Sequence, residues 1–168
     1  MRLTLALTFA AAATIAAPVI TALAQHQHDP ASHGSSAGAG QHAPVEDRRV
    51  AVAFPPELRE HTLANMRAHL LALQEIQAAL AAGKFDSAAE VAERRLGMSS
   101  LGLHGADKVA KYMPQGMQDA GTAMHRSASR LSLAALDAAV TNDLKPTLSA
   151  LSEVTANCVA CHAGYRLK

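Results

Sequence analysis

Three regimes of hydrophobic patterning follow one another along the chain. Leu3 through Ile20 is an almost unbroken apolar run behind a single charge, Arg2. From Gln25 to about Arg49 no apolar period survives, and Gly, Ser, Ala and His dominate. Beyond Pro55, apolar positions recur three and four apart, the spacing of one face of an α-helix.

The third regime predicts an all-α domain over residues 55–168. A first helix spans about Glu57 to Ala82, opened by Pro55-Pro56 and closed by Gly83, with Leu63, Met66, Leu70, Leu73, Ile76 and Leu80 as its inward stripe. A second starts near Asp86, a plausible N-cap, and carries Ala88, Ala92 and Leu96 inward. Gly97, Gly102 and Gly105 interrupt it before a short piece from about Leu103 to Tyr112, ended by Pro114. A long helix from about Gln115 to Thr141 turns Met117, Met124, Ala128, Leu131 and Ala135 inward. A last helix starts near Asp143, with Leu144, Leu148, Leu151, Thr155, Cys158 and His162 on one face. No segment alternates with the period of a strand. Four long helical stretches with mostly short connections predict an up-down-up-down four-helix bundle. That topology brings the end of the last helix beside residues of roughly 58–70 and 104–117.

The first regime reads as a signal peptide over residues 1–24, with Ala22-Leu23-Ala24 as a small-x-small cleavage site and Gln25 as the mature start. The apolar run falls short of a comfortable membrane span, so the mature chain is expected to have none. An exported, periplasmic protein follows. Residues 25–54 form a polar tail and linker that cannot bury enough apolar surface to order itself. The tail holds His26, His28, His33 and His42. Such tracts can catch Cu, Ni or Zn, which makes a metal-binding protein acting through its tail one functional class. A solvated linker is the other reading.

Lys and Arg total 15 against 14 Asp and Glu. A near-neutral chain is not built for nucleic acid or an anionic membrane surface. Aromatic residues are sparse: after the signal peptide there are Phe54, Phe85, Tyr112 and Tyr165, and no Trp. A flat buried cofactor would supply the area that aromatic side chains usually provide.

The chemistry is concentrated at the end. Cys158-Val159-Ala160-Cys161-His162 is a C-x-x-C-H run, the signature of covalent c-type haem attachment. Cysteines three apart lie on one helical face and can reach one edge of a macrocycle, and the adjacent imidazole can reach its metal. A thioredoxin-like pair belongs in a βαβ context, structural zinc usually wants four protein ligands, and a plain disulfide gives no role to His162. Export supports haem, which is attached outside the cytoplasmic membrane. Only six residues follow His162, so a second axial ligand must come from upstream.

The ending Cys158-Val159-Ala160-Cys161-His162-Ala163-Gly164-Tyr165-Arg166 resembles the C-x-A-C-H-x-x-Y-R ending of the class II cytochromes c, the cytochrome c′ family. The Gly83–Asp86 connection, the Met113-Pro114-Gln115-Gly116 turn and the first-helix stripe are weaker similarities, and the resemblance covers residues 55–168. It implies one haem c on Cys158 and Cys161, His162 as proximal iron ligand, and Arg166 near the haem edge, where it could offset a propionate. It also implies a homodimer.

The resemblance leaves the sixth iron position open between two registers. If Met66 takes the family's ligand position, the iron is His/Met-ligated and the protein is an electron carrier serving periplasmic redox partners. If Arg59 takes the place of the Arg that lies four residues before that position in the family, Leu63 covers an open iron that would bind NO or CO. His69, Met113 and Met117 are weaker ligand candidates, and His61, His104 and His125 read as structural. No nucleophile–base constellation, phosphate loop or carboxylate pair stands out, so no enzyme is expected.

Overall fold

A computed structural model describes residues 46–168. The expected signal peptide over 1–24 and the tail histidines, His26, His28, His33 and His42, lie outside the described residues.

The described chain is mostly helical. Strand β1 (Val50–Val52) leads into α1 (Pro56–Ala81), whose Pro56 suits the first turn because its missing N–H would have no helical partner there. Gly83, with φ +68°, turns the chain into α2 (Phe85–Val91). Asp86 falls inside the first turn of α2 rather than at its N-cap, which is Lys84. The helical path widens to a π turn over Ala92–Leu96, breaks at Gly97, and resumes as 3₁₀ turns around the short α3 (Ala106–Val109). Pro114 precedes α4 (Gln115–Thr141), and Asn142, at φ 57°, ends it. The final helix, α5 (Lys145–Gly164), carries the whole C-x-x-C-H run in its last turns and passes into β2 (Tyr165–Leu167).

The strands correct the strand-free expectation. Val50 pairs with Tyr165, Ala51 with Arg166 and Val52 with Leu167 in a parallel ladder. Val52 and Phe54 are buried, so residues 50–54, assigned to the linker from composition, belong to the folded unit. Three residues are too few to show a period, which is why patterning missed them.

The core joins Ile76, Leu80, Ala88, Ala92, Leu96, Ala128, Leu131, Ala135 and Val154, with α4 packed mainly on α5 and α2, and α1 on α2. Two stripes differ from expectation. On α1 the buried line runs through Thr62, His69, Ala72, Ile76 and Leu80, and Leu70 is 70% exposed. On α5 it runs through Thr147 and Val154, while Leu148 and Thr155 face out. Apolar residues make up about half of each helix, so polar residues with internal partners decide the register. The Thr147 hydroxyl donates to Ala134 O at 3.0 Å, and His69 finds another imidazole. Among the described residues no helix is long and apolar enough to cross a membrane.

Candidate functional site

A cavity of about 500 Å³ lies where the end of α5 meets the first half of α1. Leu63, Met66 and His69 reach it from α1, and Met117, Met124 and His125 from α4. Cys161, His162, Tyr165 and Arg166 reach it from the chain end. The segment between the π turn and α4 adds His104, Val109 and Met113. Residues nearly a hundred positions apart thus share one chamber of a size typical for a small-molecule or cofactor site.

Cys158 departs from expectation in one respect. It packs against the core cluster, whereas Cys161 lines the cavity. Both are free thiols, and burial pushes both thiols up in pKa, with Cys161 adding to the effect at Cys158. Met66, at 36% exposed, and the half-buried Leu63 both line the chamber.

Three guanidinium groups, of Arg49, Arg59 and Arg166, stand on the lining. Arg49 donates to Asp47 at 2.8 Å and reaches His162 O at 3.5 Å. Arg166 Nε lies 3.2 Å from the same Asp47 carboxylate but makes no hydrogen bond, and it is buried. The hydrogen bond from Arg49 holds the Asp47 carboxyl down at a pKa of about 2. The β1–β2 ladder thus brings two arginines to the cavity mouth against one carboxylate. Gly116, in the first turn of α4, makes room for the Tyr165 hydroxyl, which would lie 2.5 Å from a Cβ placed there.

The inner wall brings together His69, expected as a weak ligand candidate, with His104 and His125, expected to be structural. His69, His104 and His125 are all buried with ring centres 4.5–5.9 Å apart. His69 Nε2 lies 3.3 Å from His104 Nε2. His125 Nδ1 lies 2.7 Å from Leu96 O at the end of the π turn. A carbonyl only accepts, so that nitrogen carries the proton and Nε2 is bare. The Ser100 hydroxyl donates to Gly97 O at 2.7 Å, so toward His104 Nδ1, 3.4 Å away, it can only accept. His104 therefore keeps its proton on Nδ1 and offers Nε2 as acceptor to His69 Nε2–H. The loop is pinned to α1, since His104 O accepts from His61 Nε2 at 3.0 Å and from Asn65 Nδ2 at 3.1 Å.

Burial is the main force on all three rings. It holds His69 down at a pKa of about 3, helped by His104, His125, Arg95 and His162. It holds His104 down at about 4, helped by His125 and His61, and it lowers His125 against the opposing pull of the Leu96 and Gly97 backbone. All three are neutral at pH 7. The sequence signal that could have found them is their company: a His three residues after Met66, another just after Met124, and a third in a Gly-interrupted segment at the same end.

No known protein family, curated protein or solved structure matches the chain.

Proposed function

We propose that the chain is a periplasmic mono-haem c-type cytochrome of the class II kind, a four-helix up-down-up-down bundle that transfers electrons through iron ligated by His162 and Met66. The observation that carries this reading is the shared chamber: Cys161 and His162 on one side, Leu63 and Met66 on another, around about 500 Å³. In such a bundle α1, α2 with its π turn, α4 and α5 would be the four helical segments.

The residues present fit the group. Two thiols at the required spacing sit at the end of α5, and both are un-ionised until attachment. The orphaned, buried Nε of Arg166, with Arg49 and Arg59 on the same lining, offers positive charge to a pair of carboxylates such as haem propionates. When bound, the haem would supply a one-electron iron couple. The chain's own contributions are separate. His162 offers an imidazole, Met66 a soft thioether, and buried Val109 and Met124 add apolar lining.

A second reading keeps the haem but leaves the iron five-coordinate under Leu63. Arg59 and Leu63 both line the cavity, which favours that register as directly as Met66 favours the first. Visible and near-infrared spectra of the oxidised protein separate them. His/Met ligation gives a low-spin spectrum with a thioether-to-iron band that disappears in Met66→Ala. A high-spin spectrum in the unaltered protein, unchanged by Met66→Ala and accompanied by ready CO binding when reduced, would reject the electron-carrier reading.

A further inference from the structure

We propose that the inner wall of the cavity is a second, soft-metal site, which takes one Cu(I) ion between His69 Nε2 and His104 Nε2 and completes its shell with a cavity thioether.

The nitrogen spacing is the first argument. Two imidazole ligands at the usual metal–nitrogen distance, held near the tetrahedral angle, stand about 3.3 Å apart. His69 Nε2 and His104 Nε2 are 3.3 Å apart already. An ion that enters replaces the hydrogen bond between the rings, and His69 then carries its single ring proton on Nδ1 instead of Nε2.

The backing of the ligands is the second. A metal-bound imidazole normally gives its other N–H to a fixed acceptor, which sets the tautomer and the ring direction. His104 has this arrangement through Ser100, and Ser100 is anchored in turn on Gly97 O. The His61 and Asn65 bonds to His104 O hold the same segment on α1. Burial keeps both rings unprotonated, so no proton competes with the ion near neutral pH.

The choice of metal is the third. Among the described residues no three His, Cys, Asp or Glu groups converge as a ligand set. Zn(II) therefore lacks its usual complement here. What the chamber offers beyond the imidazoles is sulfur: the Cys161 thiol and, with Met66 given to iron in the haem reading, the thioethers of Met113, Met117 and Met124. Uncharged thioether and imidazole donors in a buried setting suit Cu(I).

The test is competition for Cu(I) against a chromogenic chelator, using the full-length chain with His26→Ala, His28→Ala, His33→Ala and His42→Ala so that the tail cannot contribute. One Cu(I) per chain is expected, with His69→Gln and His104→Gln each weakening it by more than about tenfold. Copper should also raise the unfolding midpoint of the parent but not of folded variants. X-ray absorption should show sulfur beside nitrogen in the copper shell. Absence of Cu(I) binding, a shell of nitrogen and oxygen only, or unchanged affinity in both folded variants would overturn the site. Haem absorption, read on the same samples, reports on the cytochrome reading independently.

Discussion

His69 Nε2 and His104 Nε2 meet at 3.3 Å across the inner wall of the cavity, joining α1 to a loop 35 residues away in sequence. Both rings are buried and neutral, with pKa values held down at about 3 and about 4. An unfolded histidine titrates near 6.5, so between roughly pH 6.5 and pH 3 the unfolded chain binds protons that the folded chain refuses. Stability of the metal-free protein should therefore fall as pH is lowered through that window. Urea midpoints at several pH values measure it, and a flat profile between pH 7 and pH 4 would contradict the burial of the pair. His69→Leu should flatten part of the slope.

The observed face of α1 makes opposite demands on two aliphatic residues six positions apart. Ile76 is fully buried and Leu70 is 70% exposed. Ile76→Ala should cost about 2–5 kcal/mol, and Leu70→Ala should stay within about 0.5 kcal/mol. Denaturant unfolding of the two variants checks the register, and equal costs would restore the stripe that periodicity alone suggests.

Gly116 and Tyr165 form a size-matched pair. A methyl at position 116 would lie 2.5 Å from the Tyr165 hydroxyl and 3.8 Å from its Cζ. Gly116→Ala should destabilise the protein even though alanine is the better helix residue by about 1 kcal/mol. Adding Tyr165→Phe removes the colliding oxygen, so the double variant should regain the loss. Thermal unfolding of the two singles and the double tests this coupling, and additive effects would refute it.

Residues just before α1 should matter more than a linker would. Phe54 is buried and stacks edge-on against Tyr112 with ring centres 6.1 Å apart. Phe54→Ala should cost about 3–5 kcal/mol. A loss near zero, read from the denaturation midpoint, would return residues 50–54 to the linker.

Much of the helical plan was legible because caps and breakers are local. Pro56, Gly83, Pro114 and Pro146 mark their boundaries in the sequence itself, and α4 runs from Gln115 to Thr141 as its pattern predicts. The faces were harder to read. Leu63, Leu70, Leu71 and Leu73 spread over much of α1, and the choice among them is made by the His104 loop, which offers a partner to His69. Cys161, His162 and Met66 could be placed at one end of the fold from helix alternation. The inner histidines could not, because their meeting depends on a π turn that presents Leu96 O and on Gly105, whose φ of +60° carries the loop past His61. Such backbone detail leaves no period in the sequence.

The proposed haem would sit on Cys158 and Cys161 beside His162. Intact mass spectrometry of the exported protein tests it most directly. The expected mass is that of the chain from Gln25 onward plus one haem, with the increment lost in the Cys158→Ala/Cys161→Ala double variant. A mature protein at the mass of the bare chain, made in cells competent for haem attachment, would contradict it.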